Sequence, residues 1–111
     1  MGQENRIDEL IFYFIDGKTF LKIFDKRNGI DICAYDLNET ERGVLLACID
    51  VISYQEITEL LPHISDEQLD SILSLFISKG IIFKKDNQYL SLPLRLSVVR
   101  MFGDLHTYYL Q

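Results

Sequence analysis

The chain has 111 residues, 48% hydrophobic and 25% charged, and its 17 acidic residues against 11 basic ones give a net charge of −6. That length suffices for one domain with a packed core, and the composition is that of a globular protein. The acidic balance repels phosphate backbones unless the basic residues gather on one face, and no apolar run approaches the ~20 residues that span a bilayer.

The first residues, "MGQENRIDEL", carry no apolar signal core, and Arg6 stands where a myristoylation pattern needs Ser or Thr. The expectation is a cytoplasmic protein that does not enter a membrane. No linker, repeat or low-complexity segment interrupts the chain. It reads as a single domain over 1–111, with a core at about 10–95 and a C-terminal extension at 96–111.

"LIFYFIDGKTFLKIF" reads as a hairpin around Asp16-Gly17, a favoured tight-turn pair. Ile7, Leu10, Ile11 and Phe14 also recur at helical spacing, so a helix is the rival reading for 7–15. Strand is preferred for Leu10 to Ile15. In "TFLKIFDKR", Leu21 and Ile23 share one face, with Phe20, Lys22 and Phe24 on the other. Asn28-Gly29 is a second turn signal. "IDICAYDL" is a third strand, with Ile30, Ile32 and Ala34 on one side and Asp31, Cys33 and Tyr35 on the other. Three consecutive strands make a meander.

Helices follow. Asn38 and Glu41 form a capping box that opens a helix at about 39–50, lined by Val44, Leu45, Cys48 and Ile49. "SYQE" places Ser53 with Glu56 and opens a helix at about 54–61, with Ile57, Leu60 and Leu61 inward. Pro62 ends it, because the residue before a proline is pushed out of helical geometry. "SDEQ" pairs Ser65 with Gln68 and opens a helix at about 66–79, with Leu69, Ile72, Leu73, Phe76 and Ile77 at helical spacing. Gly80 supplies its left-handed close.

"IIFKKDNQYLSLPL" reads as a second hairpin, about 81–92, turning at Asp86-Asn87, with Pro93 at its end. The tail "RLSVVRMFGDLHTYYLQ" is too apolar for a disordered segment. It either packs on this domain or covers a neighbour. The fold class expected is α+β: a winged-helix-like three-helix unit with an N-terminal β-meander and a C-terminal β-hairpin.

The function classes narrow by chemistry. The hydroxyls of Ser53 and Ser65 are engaged as caps, and neither His63 nor His106 has an obvious partner, so no catalytic residue is assigned. Cys33 and Cys48 lie in separate elements with no ligand spacing, which argues against a metal site or a disulfide framework. No phosphate-binding glycine loop is present, and no cofactor is expected in this chain. A winged helix would place "SDEQLDSILS" in a DNA groove, where Asp66, Glu67 and Asp70 oppose phosphate binding. Lys84 and Lys85 on the wing are a thin counterweight, so a DNA-binding regulator is the alternative. A protein- or peptide-binding module is preferred, since an edge strand of the meander can accept an extended peptide.

"YDLNETERGVLLACIDVISYQEITELL" resembles the small peptide-chaperone domains of the pyrroloquinoline quinone pathway, through Leu37, Asn38, Glu39, Thr40, Ser53, Glu56 and Ile57. The longer span to "GIIFKKDNQYLSLPLR" resembles the C-terminal domain of cobalamin-binding radical S-adenosylmethionine proteins, labelled Fe-S oxidoreductases, which modify ribosomally made peptides. The likeness covers roughly residues 20–95, and its motifs are short and hydrophobic. The family's three-cysteine cluster and cobalamin domain are absent. The resemblance implies an accessory domain that binds a peptide substrate or packs on a parent catalytic core. It implies a peptide site at Ile30, Ile32 and Ala34 on the meander's last strand, with Asp70, Ser74 and Ile77 on the third helix. The closing hairpin, 81–92, is a departure that could occupy the same edge.

Overall fold

A computed structural model describes residues 10–29, 31–101 and 105–110, the last part, from Ser97 on, as backbone. The fold is α+β, and it divides into two compact units: 1–36 with 93–111, and 37–92.

The first unit is a sheet. Strands β1 (Phe12–Asp16), β2 (Leu21–Asp25) and β3 (Cys33–Leu37) make the expected meander. Two further strands, β7 (Leu94–Met101) and β8 (Leu105–Leu110), complete the order β3-β2-β1-β7-β8. The strand reading therefore holds over Phe12–Asp16, while Leu10 and Ile11 precede the strand and are not helical. The tail joins this sheet, with β7 parallel to β1 through Tyr13↔Leu94 and Phe14↔Arg95.

Alternation explains the two faces. In the antiparallel β1–β2 register, Phe14 lies opposite Ile23 and Tyr13 opposite Phe24. Phe14, Leu21 and Ile23 are fully buried on one face, each worth about 1.5–3 kcal/mol of transfer free energy. On the other, Tyr13 stacks on Phe24 at 5.0 Å, packed with Leu10, Ile15 and Leu96. Arg95 Nη2 meets Asp16 Oδ2 at 3.0 Å, pinning β7 to the end of β1.

The first turn departs from the simplest reading. After Asp16 the left-handed residue is Lys18, at φ 75°, rather than Gly17. Asp16 Oδ1 accepts from Lys18 N–H at 2.9 Å and stabilises this four-residue loop. At the second turn Gly29 takes φ 77°, as expected. Asn28 Oδ1 then accepts from Asp31 N–H at 3.2 Å and holds the chain in the turn. The third strand therefore begins at Cys33, and Ile32 precedes it.

The second unit runs α1 (Glu39–Ala47), β4 (Ile52–Ser53), α2 (Tyr54–Leu60), α3 (Asp66–Ser78), β5 (Ile82–Lys85) and β6 (Gln88–Ser91), with sheet order β4-β6-β5. The order is a helix, a short strand, two helices and the β5–β6 hairpin. All three capping boxes form, on Asn38, Ser53 and Ser65. Each cap satisfies a backbone donor that the helix itself leaves unpaired. Gly80, at φ 69°, closes α3.

The core of this unit gathers Val44, Leu45, Cys48, Ile57, Leu69, Leu73, Phe76, Ile81 and Ile82. Several inward assignments need correction, among them Ile77, which is exposed, and Leu61, which is half-buried. Ile49 is exposed because α1 stops at Ala47, where Cys48 C=O turns to accept from Ser91 N–H at 2.6 Å. Leu60 is exposed, because α2 is two turns long and buries only Ile57. Ile72 is half-buried, on the margin of the α3 stripe. Strand β4 was not anticipated. It pairs Ile52 with Tyr89 and Ser53 with Gln88. No helix among the described residues is long and apolar enough to cross a membrane.

Candidate functional site

The residues expected to form a peptide site fall in both units, so each surface is described by itself. Ile30 lies outside the described residues. Ile32 is exposed but sits before the strand, and Ala34 is exposed within it.

Strand β3 is outermost in its sheet, bonded to β2 on one side. Cys33, Ala34 and Asp36 are exposed, Tyr35 is half-buried and Leu37 is buried. Among the described residues, no strand pairs with its other side. The 81–92 hairpin bonds to β4 within its own unit. The outer row of N–H and C=O groups on a five-residue strand is a template for one more strand.

The ground beneath this edge is well fixed. Arg27 grips Asp25 with both ends of its guanidinium, Nε to Oδ1 at 2.9 Å and Nη2 to Oδ2 at 2.8 Å. It also lies 3.6 Å above the Phe12 ring. The Arg27 hydrogen bond holds the Asp25 carboxyl below the usual carboxylate range. Closer to the edge, Lys22 Nζ approaches Asp36 Oδ1 at 3.7 Å, with both side chains largely in solvent. Such a pair contributes little, so Asp36 is accessible to a stronger cation.

On α3, Asp70, Ser74 and Ile77 are all exposed and share one flank by their helical spacing. Asp70 is not free: its Oδ1 accepts from Tyr54 Oη at 2.7 Å. That bond, with the carboxylate charge behind it, pushes the Tyr54 phenol up to about 12.

An open groove of about 400 Å³ lies on the other flank of α3, lined by Asn38, Thr40, Glu41, Glu67, Gln68, Ser71 and Ile72. Asn38, Glu41 and Gln68 are already engaged in capping boxes, which limits what they can offer a ligand. Sequence reasoning did not find this groove, because it depends on how α1 and α3 cross.

The β5–β6 hairpin carries Lys84, 5.6 Å above the Tyr89 ring, and exposed Lys85 near exposed Phe83. Cys48 is buried, and burial pushes its thiol up to about 12, whereas Cys33 is exposed. No group of three potential metal ligands occurs among the described residues. No family model matches the chain, and neither a curated protein nor a solved structure does so.

Proposed function

We propose that the chain is a non-catalytic accessory domain that binds an extended peptide by strand addition at the outer edge of β3. The observation that carries this reading is the sheet order. The strand is outermost, short and exposed, and the 81–92 hairpin pairs within its own unit. Main-chain pairing supplies affinity in this mode, and alternate side chains supply selectivity. The resemblance of roughly residues 20–95 to peptide-modifying radical S-adenosylmethionine proteins extends the proposal. On it, the parent is such an Fe-S oxidoreductase in the cytoplasm, and the peptide is its substrate.

A second reading, duplex DNA binding, draws on the winged-helix-like element order and on exposed Lys84 and Lys85. Against it stand Asp66, Glu67 and Asp70, exposed at the N-terminal end of α3. The discriminating experiment titrates the isotope-labelled chain with an end-blocked octapeptide of alternating Val and Thr, then with duplex DNA at low salt. Amide shifts confined to 33–37 with the peptide support strand addition. Shifts at 65–70 and 84–85 with DNA alone would replace it with the regulator reading.

A further inference from the structure

The β4-β6-β5 sheet is apolar on both faces. Its register sets Ile52 against Tyr89 and Ile82 against Ser91, and Ile52, Tyr89 and Ile82 are buried on the inner face. Alternation turns their neighbours outward. Phe83 lies opposite Leu90, and by the same register Val51, just before β4, falls in line with both. Val51 is 57% exposed and Phe83 53%, with Leu90 half-buried between them. Exposed Ile49 and Leu92 continue the same alternation. An antiparallel sheet with one face on a core normally turns polar residues to water on the other. Adjacent strands are only ~4.8 Å apart, so these side chains make one patch rather than scattered exposures.

We infer that this outer face is covered by a second copy of the chain, packed face to face about a two-fold axis.

The charges around the patch favour that occupant. Lys85 ends β5 in the row of Gln88 and Ser53, and alternation turns it outward with Phe83. Asp50 lies beside Val51 on the β4 side, so the two charges stand at diagonal corners of the patch. Both are exposed, and neither is in an ion pair among the described residues. Lys84 belongs to the inner face, 5.6 Å from the Tyr89 ring, and takes no part. A two-fold axis in the contact plane, set across the line from Lys85 to Asp50, brings each lysine to the other copy's aspartate. The apolar middles then meet each other. That is the self-complementarity an isologous contact requires. A lipid surface fits less well, because membranes recruit clustered cations, whereas Asp50 and a net charge of −6 oppose an anionic leaflet. Five apolar side chains cover less than the ~800 Å² per partner of a standard interface, so the dimer is weak, with a dissociation constant above about 1 µM.

Sedimentation equilibrium of the full chain, from about 10 µM to about 1 mM, tests the inference. The apparent mass should climb from one chain toward two, and amide shifts should grow with concentration at 49–53 and 83–92. Phe83→Thr keeps strand propensity at an exposed position and should weaken association at least about tenfold. Lys85→Glu should weaken it about threefold or more, and adding Asp50→Lys to the same chain should restore it. A single-chain mass throughout the range overturns the inference, as does a dimer indifferent to Phe83→Thr. A dimer sensitive to Phe83→Thr that the charge swap fails to restore would overturn the two-fold pairing of Lys85 with Asp50.

Discussion

Tyr54 Oη donates a 2.7 Å hydrogen bond to Asp70 Oδ1, joining the first turn of α2 to the face of α3. This bond favours the protonated phenol, which is why the Tyr54 pKa rises from 10.0 to about 12. A pKa raised on folding contributes stability that is fully present below the unfolded value. It is lost as pH climbs through the folded one. Unfolding midpoints in urea should therefore fall between about pH 10 and about pH 12. Tyr54→Phe should flatten part of that fall and lower the unfolding free energy at pH 7 by no more than about 1 kcal/mol. An alkaline profile identical in the variant would show that the bond does not persist in solution.

Cys48 adds to the same alkaline slope, since burial raises its thiol from 9.0 to about 12. Its reactivity separates it from Tyr54. Native protein should consume one equivalent of iodoacetamide quickly, at exposed Cys33, and a second only on unfolding. Two fast thiols would mean that the α1 end of the core opens readily.

Core truncations should rank by burial. Phe76→Ala should cost about 3–5 kcal/mol, because the ring is almost wholly enclosed. Ile72→Ala, at a half-buried position, should cost less, and Leu60→Ala should stay within about 0.5 kcal/mol since 62% of that residue is exposed. Denaturant titration reads all three. Equal costs for Phe76 and Leu60 would place the α2 apolar face against something in solution.

The helix caps offer a sharper local check. Ser65→Ala should remove the bond to Gln68 N–H and cost about 1 kcal/mol. Faster amide exchange confined to the first turn of α3 would accompany it. Unchanged exchange there would mean that water replaces the cap without loss.

The parts legible in the sequence are those fixed by local chemistry. Each capping box occupies four residues and needs no distant partner, so Asn38, Ser53 and Ser65 located the helix starts correctly. Strict alternation likewise placed Leu21 and Ile23 on the buried face. The misses are where partners lie far away in sequence. The two-residue β4 exists because Tyr89 and Gln88 come to it, and β7 because β1 lies beside it. The alternation of Leu94 and Leu96 was a usable signal, but not where that strand would pair. Ile49 and Leu60 were misjudged because helical period alone does not say where a helix stops. Of the expected site, the edge position of the meander's last strand was legible. The late start at Cys33, set by the Asn28 side chain, was not.

Amide hydrogen exchange on β3 tests strand addition most directly. In a strand, successive N–H groups point to opposite sides, so an added peptide should protect only those facing outward. With the end-blocked Val/Thr octapeptide bound, exchange should slow at alternate residues of 33–37, with little change at their neighbours. Uniform slowing across the whole chain, or protection on β5 with none on β3, would contradict the account.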